Sequence, residues 1–348
     1  MHILVTGANG FIGTHLVRAL CAEGHNVTSV IFPKSDGQEL QILGSTLLEA
    51  DLTRPPEPLR KALTQVDQVY HVAGARIGLH AKHFYRVNTE GTRMLLSVCR
   101  ERNPKLQRFI LVSSATVCGS SPANQAADES HSRPKTPYAK SKYAAEQVAL
   151  KEFPDIPVTV LRPSAIYGPR TTEWVEMLNL CTRWRRYAIF GVFRKEPRMD
   201  LCYIDDLIEG MMQAANHPDT RGEIFILNGP HHSWSEIGQQ AATALRVHAK
   251  PLYVPMPILF FAAACTHLFS LLLRKPFEFN WWRAIDFAQP NWTFSSQKAQ
   301  SVFGYQPKTP FPQGVDQTVQ SKLRDQWIAP PRTKHLLPPP DTKSSTSA

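Results

Sequence analysis

Among the 348 residues there are six cysteines, at positions 21, 99, 118, 181, 202 and 265, and no two stand in a C-x-x-C spacing. That excludes a zinc ribbon and argues against a disulfide frame, leaving reduced, mostly buried thiols in a cytosol. The thirteen histidines lack metal-ligand spacing as well, and the adjacent pair His231-His232 reads as a polar loop, so no metal is expected. The apolar run Ile258 to Leu273 is too short to span a bilayer. Its sixteen residues make about 24 Å of helix against a hydrocarbon core of roughly 30 Å. Met1 leads directly into an apolar strand instead of a secretory leader, which sets the expectation of a cytoplasmic protein. Acidic residues are outnumbered, 29 to 39, giving a net charge of +10. Such a balance suits an anionic cofactor, nucleic acid or a membrane surface and chooses among none of them.

What is present begins at residue 3. Ile3, Leu4 and Val5 read as a buried parallel strand, and the apolar spacing from Thr14 to Leu20 reads as a helix. Between them stand Gly7, Gly10 and Gly13, three apart, with Asn9, Phe11 and Ile12 in the same turn. The spacing is not G-x-G-x-x-G, but the mechanics carry over. Glycine turns the chain sharply, lets a pyrophosphate approach the backbone, and lets helix pack closely on strand. The N–H groups that open the helix then attract phosphate.

Strands and helices alternate from there, as in a doubly wound parallel sheet. The second strand ends Phe32-Pro33-Lys34, without the acid that selects a free ribose 2′-OH. Lys34 suits a 2′-phosphate, which favours NADP over NAD, and it suits bare solvent almost equally well. Asp51 and Leu52 end the third strand, placed to touch an adenine edge. In Val69-Tyr-His-Val-Ala-Gly74 a buried strand breaks into small residues, which would let ribose and phosphates lie against the backbone. Another strand delivers Ser113 and Ser114 at its carboxyl end, where open parallel sheets hold ligands. Tyr138 and Lys142 are four apart at a helix start and share one face.

Beyond residue 170 the pattern loosens. The stretch 183–195 mixes cations with aromatics and reads as solvated surface or lobe packing, so no nucleic acid is expected. Asp205 and Asp206 open a helix whose dipole favours them, and Ser233 or Ser235 caps another. The apolar run 258–273, flanked by Arg274, Lys275, Trp281 and Trp282, reads equally as a buried lobe helix or a helix lying at a membrane edge. From Ala329 the chain is rich in Pro, Ser, Thr and Lys and reads as a disordered tail. We therefore expect a nucleotide-binding domain over 1–170 with core elements returning around 200–230, a lobe over 171–328 and a tail over 329–348.

Taken together the chain resembles the extended short-chain dehydrogenase/reductase family, in the NAD-dependent epimerase/dehydratase superfamily. The likeness rests on Thr6-Gly7-x-x-Gly10-x-x-Gly13, Asp51-Leu52, His71-Val-Ala73-Gly74, Asn88-x-x-Gly91-Thr92, Ser113-Ser114-Ala115 and Tyr138-x-x-x-Lys142. Leu161-Arg162-Pro163, Tyr167-Gly168-Pro169 and Tyr203-Ile-Asp205-Asp206 complete it, in family order over roughly residues 1–325. The resemblance implies a Rossmann-like sheet with a smaller, mostly helical C-terminal substrate lobe. It implies an NAD(P) cofactor held by Gly7, Asn9, Gly10, Phe11, Ile12, Gly13, Phe32, Lys34, Asp51, Leu52, Ala73, Gly74, Asn88, Tyr138, Lys142 and Pro163. It also implies catalysis by Ser114, Tyr138 and Lys142, with Ser113 competing for the serine role. Tyrosine is a poor base near pH 7, and the Lys142 cation with the oxidised nicotinamide is expected to favour its phenolate.

Three residues usual in relatives that handle nucleotide sugars are missing. Ala165 stands where they place asparagine, Met199 where they place arginine (Arg198 is adjacent), and Cys118 where they place tyrosine. The first two losses remove polar contacts to a diphosphate. The chain thus looks closer to the 3β-hydroxysteroid dehydrogenase and dihydroflavonol-reductase-like branch, implying an oxidoreductase of a sterol-like or other apolar cyclic small molecule. A nucleotide-sugar epimerase or dehydratase with tightly held NAD is the alternative. Peripheral membrane contact through 258–282 and a homodimer through the tyrosine helix are further implications.

Overall fold

The computed structural model describes residues 1–122, 125–191 and 196–330. The tail from 331 and residues 192–195 of the basic aromatic stretch lie outside the described residues. Strands β1 (His2–Thr6), β2 (Asn26–Ile31), β3 (Thr46–Glu49), β4 (Gln68–His71), β5 (Arg108–Val112) and β6 (Val158–Pro163) alternate with helices. After β7 (Ala165–Tyr167), β8 (Arg186–Phe190) and β9 (Arg198–Tyr203) in the lobe, the chain returns as β10 (Ile224–Leu227). The parallel sheet runs β10-β6-β5-β4-β1-β2-β3. Its order reverses between β1 and β4, and ligands of open α/β sheets bind beyond the carboxyl ends of the strands at such a point.

The reason β1 is uniformly apolar is visible in its surroundings. Ile3 and Val5 pack into one buried cluster and Leu4 into the cluster on the opposite face. A strand covered on both sides gains nothing from polar alternation. Its register sets Thr6 beside Val30 on one side and His71 on the other. All six cysteines are free thiols, four of them buried.

In the lobe, β9 pairs with β7, with β11 (His231–Ser233) and with β13 (Asn291–Trp292), while β12 (Lys250–Val254) pairs with β8. Ser233, not Ser235, caps the helix Trp234–Ala244, in a reciprocal box with Glu236. His231, expected in a loop, is in β11, bonded to the buried Asp200 carboxylate.

Two helices depart from their periodicity. The amphipathic stretch 85–99 is a π-helical turn, Tyr85–Glu90, followed by the helix Gly91–Arg102. The apolar helix runs Met256–Leu273 and buries only Leu259, Ala263 and Ser270. That removes the buried-core reading of this helix. Composition alone does not tell a greasy helix inside a lobe from one on its surface.

Candidate active site

The glycine turn is built so that side chains do not fit. Gly7 has φ of +65°, and a Cβ on it would lie 2.7 Å from the Ala73 Cα. A Cβ on Gly13 would lie 2.2 Å from the Gly7 carbonyl oxygen. Strand, turn and helix are therefore packed backbone to backbone, as a pyrophosphate cradle requires. The helix Phe11–Ala22 has Gly10 at its cap, no capping side chain and no acid in its first turn. Its first N–H groups keep their positive field for an anion. The residues present thus fit a dinucleotide.

Behind the turn runs a buried relay. Ala73 N donates to Thr6 Oγ1 (3.3 Å), which lies 2.7 Å from His71 Nδ1. His71 Nε2 lies 2.9 Å from Thr92 Oγ1, and Thr92 donates to the Asn88 carbonyl (2.6 Å). Burial, and secondarily Lys142, push the imidazole down to about 3, so it is neutral. Sequence reasoning placed Asn88 at the cofactor, but the structure engages its amide within the protein. Oδ1 accepts from Ala75 N (2.7 Å), and Nδ2 donates to Ala75 O (3.0 Å) and Ser141 Oγ (2.9 Å). Asn88 thereby pins the loop after β4 to the tyrosine helix.

That helix, Pro137–Gln147, starts with Thr136 accepting from Ala139 N and with proline at its first position. Its register sends Tyr138 toward Ser114 and Lys142 toward the sheet edge. Lys142 Nζ donates to Val112 O (2.8 Å), and a Cβ on Gly74 would lie 2.9 Å from it. Burial pushes Lys142 down to about 8, against a smaller opposing pull from Glu146. Tyr138 is raised above the ordinary phenol value by burial. Ser114 and then Arg76 pull it back, while Glu173 and Asp286 push it further up. The phenol therefore stands protonated in the protein alone, and the Lys142 ammonium is spent first on a carbonyl.

The two serines separate cleanly. Ser113 is buried and donates to Glu146, which is also gripped by Arg162 through Nε (2.9 Å) and Nη2 (2.7 Å). Ser114 is half-buried, and its oxygen accepts from Thr116 N and Thr116 Oγ1. Cys118, where tyrosine was expected, puts its sulfur 3.5 Å from Arg162 Nη1, so a small side chain there makes room for the guanidinium.

Of the other residues expected at the cofactor, Asp51 accepts from Thr53 N and Oγ1, and Asn9 donates to Asp36 O. Phe11 sits edge-on to His15, Leu52 lies against Gly91, and Pro163 ends β6 beside Leu227. Phe32 is 64% exposed, and Lys34, at φ 64°, donates its amide to Glu49.

Sequence reasoning missed a polar cluster that acts on the phenol from the lobe side. Arg76 pairs with Glu173 (3.0 Å) and Glu278 (3.0 Å), and Arg283 pairs with Glu173 (3.3 Å). Asp286 is raised to about 6 by burial, with Arg283 lowering it and Glu173 raising it. These residues lie up to 210 positions apart and carry no shared motif, so nothing local in the sequence brings them together.

Comparison with known proteins agrees with this geometry. The model of the NAD dependent epimerase/dehydratase family matches residues 3–227. Sterol demethylase protein B of Methylococcus capsulatus is 30% identical over 80% of this chain and 82% of its own. The 2-alkyl-3-oxoalkanoate reductase of Stenotrophomonas maltophilia is 29% identical over 90% of this chain and 97% of its own. UDP-glucuronic acid 4-epimerase from Bacillus cereus, solved with NAD, superposes with a TM-score of 0.75 at 23% identity, over 94% of this chain and 100% of its own. With its glycine turn, Tyr138–Lys142 helix and seven-stranded sheet, the chain belongs to the NAD-dependent epimerase/dehydratase family, the extended branch of the short-chain dehydrogenases/reductases.

Proposed function

We propose that the chain is an NAD(P)-dependent oxidoreductase interconverting a secondary alcohol and a ketone on an apolar, sterol-like or other cyclic small molecule. One observation carries the reading. Ala73 roofs Gly7 and Gly74 abuts Lys142, so the nucleotide cradle and the tyrosine helix are continuous at the carboxyl edge of β4. A nicotinamide held there would supply or accept the hydride. Tyr138 gives a proton to the substrate oxygen or takes one from it, and Ser114 donates a hydrogen bond to that oxygen. Lys142 holds positive charge beside Gly74, where a ribose would lie, and with the cofactor's own charge draws the buried phenol toward phenolate. Gly7, Gly10 and Gly13 would hold the diphosphate, with Asp51 and Leu52 on the adenosine side and Ala73, Gly74 and Pro163 on the nicotinamide side.

The sterol-like class is supported by the apolar residues Ala165 and Met199 and by the sterol named for the Methylococcus capsulatus relative, and the ketone chemistry by the reductase named for the Stenotrophomonas maltophilia relative. Lys34 favours NADP, although its amide already sits against the Glu49 carboxylate. Residues 171–328 form the substrate side, and a homodimer through the tyrosine helix follows from the resemblance. Sedimentation equilibrium tests that dimer.

The decisive measurement is a fluorescence titration with NADH and NADPH, followed by turnover on ketosteroids against UDP- and dTDP-sugars. Tyr138→Phe is expected to abolish turnover and leave cofactor affinity within about twofold. Retained turnover in that variant removes the phenol from the reaction. NAD that copurifies and shows no net reduction assigns the chain to the epimerase alternative.

A further inference from the structure

The helix Met256–Leu273 has a mean hydropathy of 2.0, yet only 17% of it is buried. Phe261 and Leu272 are 73% and 69% exposed, and Ile258, Leu268, Phe269 and Leu273 are exposed with them. At about 100° per residue these positions, together with the exposed Leu271, sweep an arc of roughly 200°. Its inner side rests on the helix Trp281–Phe287 through Leu259, Ala263 and Ala284. Exposed apolar surface of this extent marks a contact site.

The occupant follows from three observations. An arc this wide is wetted by a fluid apolar medium that wraps it, whereas a second rigid copy covers one flat side. Arg274, exposed in a left-handed cap, and Lys275 close the helix, no acid lies within it, and the whole chain carries +10. That charge fits an anionic headgroup layer. Spanning is excluded by the connections: β12, just before the helix, is hydrogen-bonded to β8, and Trp281–Phe287, just after it, packs back along its inner side. Both ends return to the same body, so the helix lies in the plane of the interface.

The inner helix also leads to the phenol. Arg283 pairs with Glu173, Glu173 with Arg76, and Arg76 with Glu278, and Arg76 stands two residues after Gly74, which abuts Lys142 on the tyrosine helix. We propose that the outer face of Met256–Leu273 docks on an anionic lipid bilayer, and that the ion pairs behind it hold the mouth of the Tyr138 site against that bilayer so that substrate enters from lipid. The route of entry rests on the function proposed above, but the docking does not.

The test is sedimentation of the full chain with phosphatidylcholine vesicles and with phosphatidylcholine–phosphatidylglycerol vesicles at about 3:1. Wild type is expected to pellet with the anionic vesicles. Phe261→Ser/Leu272→Ser should lose that binding at least about tenfold, and Arg274→Glu/Lys275→Glu should lose the preference for anionic lipid. NAD(P)H affinity should be unchanged in both, since neither pair touches the cradle. Quenching of wild-type tryptophan fluorescence by brominated lipid, reduced in Trp281→Phe, reads the contact without an apolar-face variant. The proposal is overturned if wild type stays in the supernatant with both vesicles, or binds both equally. It is also overturned if the apolar face is covered in a dimer that Phe261→Ser/Leu272→Ser dissociates. Vesicle binding needs no substrate, so a Tyr138→Phe enzyme that still turned over would refute the function and leave the docking intact. If turnover on vesicle-borne and detergent-dispersed ketone falls equally in the docking variant, the route of entry fails.

Discussion

Replacing Arg162 with methionine should destabilise the protein strongly at neutral pH and only mildly in weak acid. Arg162 and Glu146 are 1% and 0% exposed and are joined by two hydrogen bonds. The remaining guanidinium donors reach the carbonyls of Glu129 (3.1 Å) and His131 (3.2 Å). An exposed pair would be worth about 0–1 kcal/mol. Here, removing one partner leaves a carboxylate that must either stay charged in an apolar setting or take up a proton. Protonating an ordinary glutamic acid at pH 7 costs about 4 kcal/mol, and at pH 5 about 1 kcal/mol. The first figure agrees with the roughly 3–5 kcal/mol found for breaking buried pairs. Urea unfolding followed by circular dichroism at pH 7 and pH 5 measures both losses. Glu146→Leu/Arg162→Met should recover most of the stability, because it removes both charges. A loss of under about 1 kcal/mol at pH 7, or one independent of pH, would show that the pair is not the buried clamp described.

Other consequences can be checked separately. Gly13→Ala should abolish NAD(P)H binding and cost several kcal/mol because its Cβ meets backbone at 2.2 Å, whereas Gly24→Ala, with open space around it, should cost about 1 kcal/mol in urea unfolding. Ser114→Ala should lower kcat about 100-fold with little change in stability, and Ser113→Ala should do the reverse, since Ser113 serves Glu146. Lys142 is pushed down to about 8, below its unfolded value, so native protein binds fewer protons above pH 8. The penalty of burying its charge is then fully present below pH 8 and relieved as pH rises, and Lys142→Met should flatten that gain in stability between pH 7.5 and 9.5. His231 is raised by its bond to Asp200, so that pair contributes most below about pH 6.5 and its contribution fades as pH climbs. His231→Phe should remove the fading.

The order of strands, the glycine cradle and the Tyr138–Lys142 face were legible because each is a local pattern. Three glycines at one turn, or two side chains four apart on a helix, mean the same thing in most contexts. The clamp was not legible, since Ser113 follows β5, Glu146 lies on the tyrosine helix and Arg162 in β6, and nothing local says that they meet. Asn88 was recognised as a special position but assigned to the ligand. Its partners, Ala75 and Ser141, are set by a π-helical turn that hydrophobic periodicity does not distinguish from α. Likewise 258–273 was readable as a helix, while buried and surface placements stayed open, because exposure depends on what packs beside it.

The relay through His71 has a direction. Thr92 spends its proton on the Asn88 carbonyl, so it must accept from Nε2–H, and Nδ1 must accept from Thr6. The imidazole is thus frozen as a single tautomer with no lone pair left over, a strut whose polarity is wired by its neighbours. Protonating Nδ1 would turn it from acceptor to donor and leave the Thr6 hydroxyl proton without its acceptor. With burial pushing that imidazole down to about 3, the strut beneath the glycine turn keeps one charge state at neutral pH.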